Sequence, residues 1–246
     1  MRPTRRFGRK RRALLALSAV GVSALALATP AGAVATPTAR LQQSPAATDS
    51  YTLSSIACLS ASSCKAGGYY GTTFFNQTPL AEGWNGSKWA TEPTEQNDAN
   101  PTHWIYGTTC VSSIFCWAVG STAQAVGGSG SAIAELWQGK RWSQAAVPSP
   151  PGGHLGSVSC FSMSLCWAVG GFQSGTGAAA PLGELWSETD EGSKWASDTT
   201  MPEPKGATAA TLTSVSCTTN TTCLAVGHYT SSSGAAGPFA ERLTQM

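Results

Sequence analysis

The sequence predicts an all-β fold, on three observations. After residue 35 the chain repeats one pattern four times, with first cysteines 52, 50 and 57 residues apart. Inside each interval the apolar residues fall into short segments bounded by Gly, Ser, Asn and Pro, the punctuation of strands and turns. No segment there sustains the spacing of three and four residues that marks an amphipathic helix. A period near 50 with four short strands per unit is that of a propeller blade. The expected architecture is a small β-propeller of about four four-stranded blades.

The repeat is defined position by position. Cys58, Cys110, Cys160 and Cys217 are each followed six residues later by Cys64, Cys116, Cys166 and Cys223. Five residues before each first Cys stands Leu53, Ile105, Leu155 or Leu212. Eighteen or nineteen residues after each second Cys comes a glutamate: Glu82, Glu135, Glu184 or Glu241. Two residues on stand Trp84, Trp137 and Trp186, with Leu243 in the last unit. The first strand ends at the first Cys, and the second starts at the second Cys and runs through segments such as Trp167-Ala168-Val169. The third carries the Glu and the Trp, as in Ile133-Ala134-Glu135-Leu136-Trp137. The fourth begins at Lys88-Trp89 or Arg141-Trp142. Asn85-Gly86 between strands three and four is a tight-hairpin signal.

The units are residues 51–102, 103–153, 154–206 and a partial fourth, 207–246, which ends on its third strand. Arg40-Leu41-Gln42-Gln43-Ser44-Pro45, in the segment 36–50, parallels Arg141-Trp142-Ser143-Gln144 and Pro148. That segment is expected to supply the missing strand and close the ring, leaving no exposed sheet edge. An open array that completes itself by oligomerising is the alternative.

The eight cysteines form one Cys-x5-Cys pair per unit, and pairing within each unit is the economical connectivity among those possible. Such bonds restrict the unfolded chain of a small blade. Zinc is not expected, because zinc-binding cysteines usually stand about two to four residues apart. The three histidines, His103, His154 and His228, also occupy different positions in their units.

Residues 1–35 read as a cleaved signal peptide. A basic head (Arg2 to Arg12) precedes an apolar stretch from Ala13 to Ala28, and small residues follow Pro30. The general secretory route is favoured, and the mature protein is expected outside the cell or at its surface, with no membrane segment. Its balance is eight basic against thirteen acidic side chains, a net of −5, so the overall +2 belongs to the leader. Nucleic-acid binding, which needs clustered Lys and Arg, is excluded on that ground.

Trp84-Asn85-Gly86-Ser87-Lys88-Trp89 and Asp190-Glu191-Gly192-Ser193-Lys194-Trp195 resemble the Asp-box hairpin of sialidase-type (BNR) propellers. The unit as a whole is similar to Cys-paired repeats of secreted bacterial proteins described as BNR-like or kelch-like, over almost all of residues 36–246. The resemblance implies blade architecture. Sialidase-type catalysis would imply an arginine cluster and a tyrosine with an acidic partner. The mature chain retains only Arg40, Arg141 and Arg242.

No nucleophile elbow, acid–base cluster or phosphate cradle is legible; Gly127-Gly128-Ser129-Gly130-Ser131 and Gly175-Thr176-Gly177 join strands and open no helix. The expectation is therefore a protein that is not an enzyme and takes no cofactor: a secreted interaction module for a glycan, an envelope polymer or a protein. A sialidase-like glycoside hydrolase or lyase is the alternative, and a structural surface protein without small ligand a third. Glu82, Glu135, Glu184 and Glu241 are read as structural, each paired with a basic residue starting a fourth strand. Trp84, Trp137 and Trp186 are read as core because they recur. The candidate binding residues are the aromatics outside the repeat. Tyr69, Tyr70, Phe74 and Phe75 fall in the connection between strands two and three of the first unit. His103, Trp104 and Tyr106 follow the longest connection between units. Such side chains offer a sugar ring an apolar face and a polar handle.

Overall fold

Short alternating segments joined by Gly- and Asn-containing turns build four antiparallel sheets, one per repeat. The computed structural model describes residues 50–73, 76–95, 102–123, 130–189 and 192–244. Sheet one is β1 (Ser50–Ser60), β2 (Ser63–Thr73), β3 (Asn76–Trp84) and β4 (Trp89–Glu92). Sheet two is β5 (Thr102–Ser112), β6 (Phe115–Ala123), β7 (Ala132–Trp137) and β8 (Trp142–Ala145). Sheet three is β9 (His154–Ser162), β10 (Leu165–Gln173), β11 (Ala179–Thr189) and β12 (Gly192–Asp198). Sheet four has three strands among the described residues, β13 (Ala207–Cys217), β14 (Cys223–Ser231) and β15 (Ala236–Leu243). Each is a meander in sequence order. The fold is all-β and built of blade-like sheets.

One set of local constraints recurs in every sheet. The paired cysteines are direct cross-strand partners and are bonded as Cys58–Cys64, Cys110–Cys116, Cys160–Cys166 and Cys217–Cys223. They clamp the hairpin between the first two strands. The tryptophan ending the third strand reaches the turn of that hairpin: the indole Nε1 of Trp84, Trp137 and Trp186 donates to the carbonyls of Ala61, Ser113 and Met163, each at 3.0 Å. It also packs on the first tryptophan of the fourth strand, with ring centroids 5.6 to 5.7 Å apart. The turn at Asn85-Gly86 is an Asx turn, the Asn85 side chain accepting from the backbone N–H groups of Ser87 and Lys88 at 3.0 Å.

Four residues after each second Cys a glycine closes the segment x-Ala-[Val/Gly]-Gly, and it has a steric cause. The first strand carries one extra residue opposite it, a β-bulge, at Ser54, Tyr106, Gly156 and Thr213. A Cβ at Gly68, Gly120, Gly170 or Gly227 would land on the carbonyl oxygen of Thr52, Trp104, His154 or Thr211. Only a residue without a side chain fits.

The core lies between sheets. Leu155 and Val158 of sheet three pack with Trp117, Val119 and Ala132 of sheet two. Leu212, Val215 and Ala225 of sheet four pack with Trp167 and Val169 of sheet three. Ile105 of sheet two packs with Ala81 of sheet one. Sheets two and three thus each have one face toward the preceding sheet and one toward the following sheet. The expected closed ring is corrected here: the described sheets are not closed. Sheet one on two, two on three and three on four are the extensive packings, and none joins sheet four to sheet one. The physical sign is that the residues which would meet across such a junction remain wet, Leu53 and Ile56 at one end and Leu224 and Val226 at the other. The segment expected to close the ring, residues 36–49, and the signal segment lie outside the described residues.

The bulge account makes a paired prediction. Gly170→Ala is expected to cost about 3 kcal/mol in urea denaturation, as overpacking against backbone does. Gly175→Ala, with open space around its Cβ, is expected to change stability by less than about 0.5 kcal/mol.

Candidate functional site

The repeat builds its junctions from apolar side chains, so a functional site is sought where a junction departs from that pattern. Between sheets two and three, Trp117 of β6 sits against Trp186 and Trp195, with centroids 4.7 and 4.9 Å away. The same position in β2 is Lys65. Its ammonium lies 3.8 Å from the centroid of Trp137, the counterpart of Trp186, and makes an ion pair with Glu92 of β4. Glu92 also accepts from the indole Nε1 of Trp142 at 3.0 Å. A cation–π and ion-pair network thus replaces an aromatic plug. The neighbouring position is Gly67 where the later sheets have Val119, Val169 and Val226, and its Cβ would run into the Thr108 and Ile105 side chains.

Beside this network runs an open groove of about 340 Å³ along β3 and β4. Tyr70, Thr78, Thr91, Glu92, Pro93 and Thr94 are among its walls, so an aromatic ring, hydroxyls and a carboxylate face one trough. Glu95 follows Thr94 and crosses to sheet two, accepting from the backbone N–H of Gln144 at 3.0 Å. Gln144 is the cross-strand partner of Glu135. Burial pushes the Glu135 carboxyl up to about 8, and the nearby Glu95 charge adds to the rise. Glu135 therefore holds a proton at neutral pH.

The aromatic candidates divide on this geometry. Tyr69 and Tyr70 stand on β2 itself, since that strand runs to Thr73 rather than ending in a connection. Tyr70 reaches the groove. Tyr106 is the bulge residue of β5 and hydrogen-bonds with the Ser121 side chain; burial is the chief cause of its raised pKa, with Tyr69 close enough to contribute. Trp104 is buried on β5, its indole Nε1 donating to Gln77 of β3. His103 is buried too, its pKa lowered by desolvation, and its Nε2 finds no partner among the described residues. Phe74 and Phe75 lie outside the described residues. Tyr69, Trp104 and Tyr106 therefore belong to one sheet-one/sheet-two junction, Tyr70 points to the other face of β2, and His103 and Trp104 sit in the core rather than on a loop.

Glu135 and Glu184 depart from their expected ion pairs. Glu184 is buried and accepts from the Ser197 hydroxyl, and burial pushes its carboxyl up to about 7 against the opposing effect of that bond. Neither Glu135 nor Glu184 has a basic partner among the described residues; the Lys65–Glu92 pair joins β2 and β4 instead. Glu241 is shifted upward as well, by desolvation. The sequence reading missed Lys65, Glu92 and Glu95. Lining up the four units shows Lys65 against Trp117, Trp167 and Leu224, and that mismatch was the available signal.

No protein-family model matches the chain, and no curated protein matches it. Among solved structures it is similar to a xylan β-1,4-xylosidase from Bacillus halodurans C-125, with TM-score 0.48 and 10% identity over 80% of this chain. It is also similar to a GH43 endo-arabinanase from Bacillus licheniformis, with TM-score 0.44 and 9% identity over 78% of this chain. The chain spans 41% of the first and 71% of the second. Both neighbours are named as enzymes, which runs against the expectation of a protein that is not an enzyme and leaves that expectation unsupported. A likeness at this level assigns this chain no catalytic residue and no substrate. The four disulfides fit an oxidising compartment. Among the described residues no helix is long and apolar enough to cross a membrane.

The buried proton has a measurable consequence. Below about pH 4.5 Glu135 is protonated whether the chain is folded or not. Between 4.5 and about 8 only the folded state keeps the proton, so this group's contribution declines as pH rises and is lost above the folded pKa. Glu135→Gln is expected to match the native protein in denaturation at pH 4. At pH 8.5 it is expected to be more stable by a few kcal/mol. His103 and His154, lowered by burial, change both proteins alike.

Proposed function

We propose that the protein is exported and acts on a glycan chain that lies in the groove along β3 and β4 of sheet one. The reading rests on one observation: beside a junction where Lys65 replaces the aromatic plug, a trough brings together an aromatic ring, hydroxyls and a carboxylate. Tyr70 would stack on a sugar face, and Thr78, Thr91 and Thr94 would exchange hydrogen bonds with its hydroxyls. Lys65 and Trp142 hold Glu92 in the trough wall. The reaction favoured is hydrolysis of a glycosidic bond. Its leaving oxygen must take a proton while a second carboxylate assists attack. Glu92, in the trough wall, and Glu95, exposed just beyond Thr94, are the two carboxyl groups a substrate there would meet: one would give its proton to the leaving oxygen while the other would take a proton from the attacking water. Glu135, buried behind Gln144, would act only as a positioning residue for Glu95. The blade-like repeat serves as the scaffold, and its Asp-box-like turns are structural.

The test is a panel of plant and bacterial wall polysaccharides, read by gel retardation and by release of reducing ends. At least one polymer is expected to retard the protein and to be cleaved. Tyr70→Ala is expected to weaken retardation about tenfold, the scale of one lost stacking contact. Glu95→Gln is expected to abolish cleavage while leaving retardation within about threefold, because it removes charge rather than shape. Absence of both retardation and cleavage across the panel would overturn the reading.

A further inference from the structure

The two end faces of the array are the two halves of a junction that the chain makes three times within itself. On the face of sheet one that has no predecessor, Leu53 is 39% exposed and Ile56 57%. Their counterparts Leu155 and Val158, and Leu212 and Val215, are buried under the preceding sheet. Leu53 and Ile56 line, with Ala66, Glu82 and Trp89, a depression of about 290 Å³. On the face of sheet four that has no successor, Leu224 is 58% exposed and Val226 49%. Their counterparts Trp117 and Val119, and Trp167 and Val169, are buried under the following sheet. Arg242 stands opposite Leu224 on β15, so this face carries a positive charge beside its aliphatic pair.

We infer that the sheet-four face of one copy docks on the sheet-one face of a second copy, extending the internal junction across two chains. A second copy is the occupant because each face is the repeat-equivalent of a surface that the chain already covers with the matching face. The two apolar faces meet an aliphatic pair with an aliphatic pair. The contact joins unlike faces, so it leaves one face free on each copy until a second such contact forms. Two copies joined twice make a ring of eight sheets, twice the four of one chain, and propellers of about four to eight blades are known.

The test is the mass of the secreted protein by sedimentation across a concentration series, with Ile56→Asp on one face and Leu224→Asp on the other. Both side chains are exposed in a single copy, and unchanged circular dichroism and melting of the dilute variants confirm that they fold. The native protein is expected to form a dimer, or a longer head-to-tail chain, that dissociates on dilution. Each variant alone is expected to remain monomeric. An equal mixture of the two is expected to recover a dimer, because the Ile56→Asp copy keeps a sound sheet-four face and the Leu224→Asp copy a sound sheet-one face. A native protein that stays monomeric at the highest concentration overturns the inference. So does a single variant that still associates, or a mixture that does not. The readout involves no glycan, so its failure is distinct from failure of the glycan reading.

Discussion

An aliphatic side chain on the first strand of sheets two, three and four, pressed into the sheet before it, is the interaction on which the rest of this structure depends. Ile105, Leu155 and Leu212 occupy one repeat position and are all but water-free. A four-stranded meander cannot bury both of its own faces, so its stability comes from its neighbours, as in other stacked-repeat architectures. The disulfide, the glycine opposite the bulge and the tryptophan over the hairpin turn all act on the same pair of strands. Their combined effect is to fix the angle at which that aliphatic side chain is delivered to the preceding sheet.

Much of this was legible in the sequence, because a repeat turns physics into spacing. The cysteine pairs, the positions of the third and fourth strands and the Asn85-Gly86 turn follow from local rules that need no knowledge of partners. The bulge was not legible: Tyr106 reads as one more residue in a β segment, and only the cross-strand register reveals it as the inserted one. Strand length was underestimated for a related reason, so Tyr69 and Tyr70 read as loop residues although β2 carries them. Closure depended on contacts between distant segments, which no local signal encodes. The burial of the glutamates was equally hidden. The spacing suggests a basic partner on the fourth strand for each carboxylate, and only the packing of neighbouring sheets shows that Glu135 and Glu184 are buried without one among the described residues.

The candidate site follows from a single departure. Where sheets two, three and four place Trp117, Trp167 and Leu224, sheet one places a lysine. An ammonium in that position needs a counter-charge and an aromatic face, and Glu92, Trp137 and Trp142 supply them. Glu92 is thereby held at the wall of the groove that Tyr70 and the threonines complete. A buried ion pair contributes little to stability compared with an apolar plug of the same shape. Its value at this junction lies in placing polar groups beside an open trough, which the other junctions fill with indole.

The central claim is that repeat-equivalent positions differ only in whether a neighbouring sheet covers them. Equilibrium denaturation of Leu53→Ala, Leu155→Ala and Leu212→Ala, each in the Leu224→Asp background that keeps copies apart, tests it most directly. Leu155→Ala and Leu212→Ala are expected to lose about 2–5 kcal/mol, the cost of emptying a packed site, and Leu53→Ala less than about 1 kcal/mol. Equal losses at all three positions would contradict the account, since Leu53 would then be as covered as its counterparts.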